Sequence, residues 1–236
     1  MSAYQLPHWV WPTALAGVCG LAVWRDGGKL RLILGRDNFV YMIDAETGTL
    51  VTSFGDGGKI DARANLRGQA EDNAIYITSP PSVYQNLIIV TGRLAENTPA
   101  SPGDVRAFDA RTGKLVWTFH TIPHPGEVGY ETWPKEAYLR MGGANAWQGV
   151  IVDEKNGIVF AALGSPSDDF WGGERIGDNL FGNSIVAIDA MTGKRLWHFQ
   201  AVHHDLWDAD FAAQPILMTV TRGGKKVEAV AATNKV

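Results

Sequence analysis

The sequence predicts an all-β protein, a β-propeller whose blades are four-stranded antiparallel sheets. Three observations lead to this prediction. A strand–turn–strand motif occurs three times, short apolar runs alternate with glycine-rich turns, and no stretch has the apolar spacing of a long amphipathic helix. The 236 residues suffice for a large buried core, and a hydrophobic fraction of 45% is ordinary for a globular protein.

The repeated motif is the strongest of these observations. Its copies are MIDAETGTLVTSF at 42–54, AFDARTGKLVWTF at 107–119 and AIDAMTGKRLWHF at 187–199. We expect the Asp of each copy to cap the amides of a turn and the Gly to supply the positive φ of a tight hairpin. In two copies a tryptophan, Trp117 or Trp197, would pack between neighbouring blades.

Further strand pairs are predicted around these copies, so that each copy belongs to a unit of about four strands. They span 30–44, 82–92, 149–164 and 214–233, with Asn156-Gly157 and Gly223-Gly224 as turns of the last two.

The number of predicted blades is small. Residues 20–236 hold roughly three to four blades, and residues 1–19 are predicted to be an irregular lead-in. The last residues, VAATNKV, stop where a strand would be expected to continue. Because so few blades do not close a ring, we expect a longer protein, open sheet edges or pairing with a second copy.

Charge and composition exclude some classes of protein. The formal net charge is −4 and no basic stripe is present, which argues against binding to nucleic acid. The single cysteine, Cys19, cannot form an intrachain disulfide. The apolar stretch 9–24 is shorter than a bilayer span and lacks the basic lead-in of a signal peptide, so we favour a strand over a membrane or export segment.

The polar run AVHHDLWDAD at 201–210 is the clearest candidate for a functional site, and a metal site, a catalytic base or a packing corner could each explain it. The adjacent residues His203 and His204 would face opposite sides of a strand, and no third His or Cys lies nearby at metal spacing. A transition-metal site is therefore disfavoured. By spacing alone, Asp208 is interpreted first as a turn-capping carboxylate.

Together with the repeats, TSPPSV at 78–83, GDNLFGNS at 177–184 and HHDLWDAD at 203–210 resemble the PQQ-dependent quinoprotein dehydrogenases, in particular their glucose-dehydrogenase-like branch. The resemblance runs from about residue 20 to the end. It implies an eight-bladed propeller, of which this chain would form about half. It also implies oxidation of an alcohol or aldose hydroxyl with pyrroloquinoline quinone (PQQ) and Ca²⁺ as cofactors, and transfer of the electrons to a quinone acceptor.

The resemblance also implies roles for individual residues. Asp208 would be the catalytic base, and Lys235, 27 residues further on, would contact the quinone oxygens. Trp147 would form the floor under the planar cofactor. Glu96 would coordinate Ca²⁺ beside the cofactor, with Asp208 adjoining the metal. Ser165, in Gly164-Ser165-Pro166, stands at the place of the Asn in a Gly-Asn-Pro motif that often gives a second metal ligand.

Two features fit the family pattern less directly. Related proteins tend to carry an arginine near the cofactor carboxylates where this chain has Cys19, so one anion contact would be missing. The pair Asp168-Asp169 is predicted to lie in a loop at the mouth of the site, without an assigned role.

Alternative functions remain open at this point. A non-catalytic propeller scaffold would need no polar cluster at one end of the blades, whereas Glu96, Asp208 and Lys235 concentrate at strand ends and favour an enzyme. An inactive fragment of the dehydrogenase is the third reading. The family further implies a periplasmic or periplasm-facing location, with possible membrane association through segments missing from this chain.

Overall fold

A computed structural model of the protein describes residues 20–236. The predicted lead-in at 1–19, including Cys19, lies outside the described residues. In the described part, fourteen strands form three four-stranded antiparallel sheets and one two-stranded hairpin, and each sheet is built from strands consecutive in sequence. The prediction of an all-β protein with four-stranded antiparallel blades is confirmed.

The strands follow the chain in simple order. The first sheet contains β1 (Leu21–Asp26), β2 (Lys29–Arg36), β3 (Phe39–Asp44) and β4 (Lys59–Asp61). The second contains β5 (Ser82–Tyr84), β6 (Leu87–Val90), β7 (Val105–Asp109) and β8 (Leu115–Phe119). The third contains β9 (Val150–Asp153), β10 (Ile158–Ala162), β11 (Ser184–Asp189) and β12 (Arg195–Gln200). The hairpin pairs β13 (Ile216–Arg222) with β14 (Lys225–Ala231).

Helical structure in residues 20–236 is limited to single 3₁₀ turns, at Ala70–Asp72, Tyr130–Thr132 and Ala137–Leu139. Within this part of the chain, no helix has the length and apolar character needed to cross a membrane.

The turns of the repeated motif form as expected from their sequence. In the third copy, Oδ1 of Asp189 accepts hydrogen bonds from the backbone N–H groups of Met191 at 3.1 Å and Thr192 at 2.8 Å. Gly193 follows with φ of +73°, a conformation that glycine adopts without a steric penalty. The other two copies repeat this pattern at Asp44 and Asp109. In the second and third copies the motif joins the last two strands of a sheet through five residues. In the first copy the chain after the turn pairs with β3 only at an isolated bridge between Ile43 and Leu50, and β4 begins later, at Lys59.

Neighbouring sheets dock through the motif as well. Trp117 of β8 is 7% exposed, and its Nε1 donates to the carbonyl of Ala190 in the third sheet at 3.1 Å. A Cβ atom added to Gly193 would lie 2.7 Å from the Trp117 ring, so only glycine permits this approach. Trp117 therefore packs between two blades, as predicted. Trp197 contacts Phe160, at 5.7 Å between ring centroids, but is 41% exposed in this chain.

The buried core lies between adjacent sheets. Strand β6 is buried along its whole length because both of its faces are covered. Ile88 belongs to the cluster shared with the first sheet, and Ile89 belongs to the cluster shared with the third. This division follows from the alternation of side chains along a strand. Burying each such isoleucine contributes about 1.5–3 kcal/mol.

Candidate active site

Five connecting segments meet at one end of the sheets and enclose a cavity of about 320 Å³. They leave β6, precede β9, and follow β10, β12 and β14. All five residues to which the resemblance gave a role line this cavity: Glu96, Trp147, Ser165, Asp208 and Lys235. Residues that the sequence left without a role line it too, among them Arg93, Asn145, Asp169 and Asp210.

The loop that carries Asp208 is organised by a buried carboxylate, Asp205. One oxygen of Asp205 accepts from the N–H of Trp207 at 2.9 Å, and the other accepts from the N–H of Ala209 at 2.7 Å. Asp208 lies between these two anchored amides with φ of +53°, a left-handed conformation that is uncommon outside glycine. The surrounding structure thus holds Asp208 in an unfavourable backbone conformation, as is common at functional sites.

The same carboxylate ties this loop to its neighbours. Oδ2 of Asp205 also accepts from Oγ of Ser165 at 2.5 Å and from Nδ2 of Asn183 at 3.0 Å. Burial raises the pKa of Asp205, but its hydrogen bonds outweigh that effect and lower the pKa below its ordinary value. Asp205 is therefore an ionised structural group beneath the site.

Lys235 bridges two carboxylates of the cavity. Its Nζ lies 2.5 Å from Oδ2 of Asp208 and 3.2 Å from Oδ2 of Asp210, and its backbone N–H donates to the carbonyl of Asp210 at 2.9 Å. Burial alone would lower the pKa of Lys235, but hydrogen bonds and charges from the two aspartates raise it. The ammonium group is held in its charged form.

Trp147 is held by one hydrogen bond to its indole and another to its backbone. Its Nε1 donates to Oδ2 of Asp210 at 3.3 Å, and its carbonyl accepts from Oγ1 of Thr78 at 2.9 Å. Asp210 also accepts from the N–H of Ser165 at 2.6 Å. Burial first, and then the charge of Asp208, raise the pKa of Asp210 above its ordinary value. Asp210 thus connects Trp147, Ser165 and Lys235.

The two remaining residues assigned from the resemblance have protein partners. Oε1 of Glu96 lies 3.4 Å from a guanidinium nitrogen of Arg93, and both side chains are exposed. The hydroxyl of Ser165 donates to Asp205 and lies 3.3 Å from Nδ2 of Asn183. Ser165 is therefore on the cavity wall, but its hydroxyl is engaged behind that wall.

Asp169 is the one cavity carboxylate without a partner in the described part of the chain. Only 9% of the residue is exposed, and no donor or cation of residues 20–236 contacts its side chain. Its backbone N–H lies 3.4 Å from the carbonyl of Glu96. Burial, reinforced by the charges of Asp208, Asp210 and Glu96, raises the pKa of Asp169 to about 7.

The loop bearing Asp169 is attached to the loop bearing Asp208 by a buried arginine. The guanidinium of Arg175 is 1% exposed and donates to the carbonyls of Asp168, at 3.0 Å, and Asp205. It also donates to Oδ1 of Asn179 at 2.9 Å. Arg175 therefore fixes the separation of the two loops that contribute most of the acidic side chains.

The adjacent residues His203 and His204 contact the loop that bears Asp169. Nδ1 of His204 lies 2.9 Å from the carbonyl of Gly177, and Nδ1 of His203 lies 3.5 Å from a carboxylate oxygen of Asp178. Across residues 20–236, no group of three or more His, Cys, Asp or Glu side chains is arranged to hold a metal ion.

Chemically, the cavity suits an anionic planar ligand only in company with a cation. Its lining has four carboxylates, Glu96, Asp169, Asp208 and Asp210, against the cations Arg93 and Lys235. A ligand with several carboxylates would meet net repulsion there, and a divalent cation would offset it. The oxygen donors present are those that Ca²⁺ prefers, and Ca²⁺ can take further ligands from a bound molecule. The residues therefore fit PQQ and Ca²⁺ together.

The sequence offered a signal for only some of the residues left without a role. Asp210 follows Asp208 by two positions, and Asp169 belongs to the pair that the sequence predicts in a loop at the mouth of the site, without an assigned role. Arg175 and Asn183 gave no signal, because their contacts reach across 30 and 22 residues of sequence.

Comparison with known proteins identifies the class. The family model described as "PQQ: Glucose/ethanol/alcohol dehydrogenase, beta-propeller domain" matches residues 13–236. The chain belongs to this family of quinoprotein dehydrogenases, which confirms the resemblance noted from the sequence.

Among the relatives is the quinoprotein glucose dehydrogenase of Escherichia coli (strain K12), 33% identical over 210 residues, which cover 87% of this chain and 26% of the relative. A quinate/shikimate dehydrogenase (quinone) of Acinetobacter baylyi is 36% identical over 185 residues, 77% of this chain and 22% of the relative. The structure of quinohemoprotein alcohol dehydrogenase ADHIIG from Pseudomonas putida HK5 superposes with a TM-score of 0.75 at 30% identity, covering 92% of this chain and 31% of that one. The chain spans about a quarter of the length of these curated relatives.

Proposed function

We propose that this protein oxidises a hydroxyl group of a sugar or alcohol with PQQ as redox cofactor. The observation that carries the proposal is the meeting of Asp208, Lys235 and Trp147 in one cavity, from three separate segments. The names of the relatives, which include glucose, quinate/shikimate and alcohol dehydrogenases, support the same class of substrate.

When bound, PQQ supplies an ortho-quinone that accepts a hydride from the carbon bearing the substrate hydroxyl. The chain supplies the groups around that transfer. Trp147 offers an indole that Asp210 holds in place, which suits it to lie against a planar ring system. Lys235 offers a charged ammonium group to the quinone oxygens.

Asp208 takes the hydroxyl proton in this proposal. Its carboxylate lines the cavity, and the anchored amides on either side fix the position of its backbone. A general base of this kind contributes about 10²–10⁴-fold to the rate. The Lys235 ammonium that contacts Asp208 here would also be available to a neighbouring oxygen of the cofactor.

Ca²⁺ completes the proposed site. Glu96 and Asp208 would provide carboxylate oxygens, and the remaining ligands would come from the cofactor. Ser165 is proposed as a further ligand because it lines the cavity. Its hydroxyl would have to break its hydrogen bond to Asp205 in order to bind a cation. The acidic excess of the lining supports a bound cation.

The wider setting is proposed from the family. Electrons would pass from the reduced cofactor to a quinone acceptor, and the protein would work in the periplasm or facing it.

The proposal is tested by adding PQQ with Ca²⁺ to the purified protein and measuring its thermal unfolding and its dye-linked oxidation of glucose and ethanol. We expect a higher Tm, since a ligand that binds only the folded state stabilises it, together with substrate-dependent dye reduction. A Tm shift without oxidation would indicate a chain that binds the cofactor but is inactive. If neither a Tm shift nor oxidation is observed, the proposed function is wrong and a non-catalytic scaffold is favoured.

A further inference from the structure

Asp169 is a buried carboxylate for which the proposed oxidation has no use. It lines the cavity together with Asp208, is 9% exposed, and is contacted by no hydrogen-bond donor of the described residues. Because the residue lines the cavity, its carboxylate can accept hydrogen bonds from a molecule held there.

The position of Asp169 is set by its loop. Oγ of Ser167 donates to the carbonyl of Ala95 at 3.0 Å, the N–H of Asp169 lies 3.4 Å from the carbonyl of Glu96, and Arg175 binds the carbonyl of Asp168 at 3.0 Å. These three contacts hold the chain at and just before Asp169, whose side chain lines the cavity.

Exposed aromatic residues are the sequence neighbours of two of the cavity carboxylates, Asp169 and Asp208. Phe170 and Trp171 directly follow Asp169 and are 71% and 62% exposed, and Trp207 directly precedes Asp208 and is 80% exposed. The two loops touch, because a Cβ atom on Gly172 would lie 2.5 Å from the Leu206 side chain. Carboxylates in the cavity and exposed aromatic side chains on the loops that carry them suit a sugar or polyol, whose hydroxyls need acceptors and whose C–H faces pack on rings.

We propose that Asp169 accepts a hydrogen bond from a second hydroxyl of the substrate, and thereby selects sugars and polyols over monohydric alcohols. The inference rests on the proposed function and adds the substrate class. A monohydric alcohol offers one hydroxyl, which Asp208 engages, and leaves Asp169 unpartnered. Sites built to hydrogen-bond a substrate hydroxyl discriminate strongly against analogues that lack it.

The first test compares wild-type protein and Asp169→Asn, both loaded with PQQ and Ca²⁺, on D-glucose and on 1-propanol. Because hydrogen bonds to charged groups are worth about 1.5–3 kcal/mol, we expect kcat/KM for glucose to fall about 10- to 100-fold. The value for 1-propanol should fall clearly less, so that the ratio of kcat/KM for glucose to kcat/KM for 1-propanol falls. The matched control is Asp178→Asn on the same loop, whose carboxylate is exposed and outside the cavity lining.

The second test needs no variant. Singly deoxygenated glucose analogues are compared with glucose on the wild-type protein, and we expect one of them to lose about as much kcat/KM as Asp169→Asn loses. For that analogue, Asp169→Asn should cause little further loss, since the two changes remove the same contact.

The outcomes separate the two proposals. If the wild-type protein oxidises neither glucose nor 1-propanol, the proposed function is wrong, and the inference that rests on it is wrong as well. With turnover established, an equal loss on both substrates would overturn the inference, as would no loss for Asp169→Asn. The inference would also be overturned if every deoxy analogue had the same kcat/KM as glucose on the wild-type protein. This outcome can be measured even if Asp169→Asn fails to fold.

Discussion

The ammonium group of Lys235 lies 2.5 Å from the carboxylate of Asp208, although 27 residues and a complete hairpin separate them in sequence. Strands β13 and β14 pair antiparallel, so the chain runs out from the site and returns to it, which brings the two residues together. Asp210 joins the pair at 3.2 Å from the same nitrogen. The spacing noticed in sequence therefore corresponds to a direct contact.

Replacing Asp208 by Asn removes the proposed proton acceptor and keeps the size of the side chain. We expect kcat to fall by about 10²–10⁴-fold while the affinity for PQQ changes little. Stopped-flow or dye-linked assays measure kcat, and fluorescence titration with PQQ measures the affinity for the cofactor. Glu154→Gln, an exposed change in the β9–β10 turn, is the control. Normal turnover by the Asp208 variant would exclude it as the base.

Replacing Lys235 by Gln leaves Asp208 and Asp210 without their shared counter-charge. We expect PQQ affinity to fall about tenfold, because the cation proposed to face the quinone is lost. Since Lys235 is 39% exposed, solvent screens the pair, and we expect its loss to lower the free energy of unfolding by only about 1 kcal/mol. A double-mutant cycle with Asp210→Asn checks the contact, and coupling near zero would contradict it.

Replacing Asp205 by Ala leaves two backbone amides and two side chains without their acceptor. Each unsatisfied buried group costs about 1–3 kcal/mol, so we expect the free energy of unfolding to fall by about 3 kcal/mol or more. Activity should fall as well, because the Asp208 backbone loses its anchors. Denaturant unfolding provides the measurement. Asp56→Ala, at an exposed turn in the first sheet, is the control and should be nearly neutral.

The lowered pKa of Asp205 also gives stability a pH dependence. Its folded-state pKa lies below the unfolded value of about 3.9, so its stabilisation is complete above that value and is lost as the pH falls through the folded-state pKa. We expect Asp205→Asn to reduce the slope of stability against pH below about pH 4. Unfolding curves at several pH values check this, and an unchanged slope would contradict it.

Trp117 and Trp197 occupy the same position in two copies of the repeat but differ in burial. Replacing Trp117 by Ala removes a 7% exposed ring and its bond to Ala190, and we expect a loss of about 3–5 kcal/mol. The same change at Trp197, which is 41% exposed in this chain, should lose clearly less. Chemical denaturation measures both losses of unfolding free energy. Equal losses would show that Trp117, despite its burial between two blades, stabilises the protein no more than Trp197 does.

The local features of the fold followed from the sequence alone. The Asp-to-Gly turns, the hairpins and the all-β class were predictable, because a turn is stabilised by a carboxylate and by amides within three positions of it. The family resemblance pointed further, to five residues that line one cavity. In these cases the information lies in short stretches of chain.

Only the tertiary structure revealed the groups that hold the site together. Asp210 accepts from the N–H of Ser165 across 45 residues, and Arg175 reaches the carbonyl of Asp205 across 30. Asp169 is distinguished because no hydrogen-bond donor within residues 20–236 contacts its carboxylate, which no spacing in the sequence can show. Such relationships depend on how the blades pack against one another, because packing decides which loops meet and which polar groups lose their contact with water.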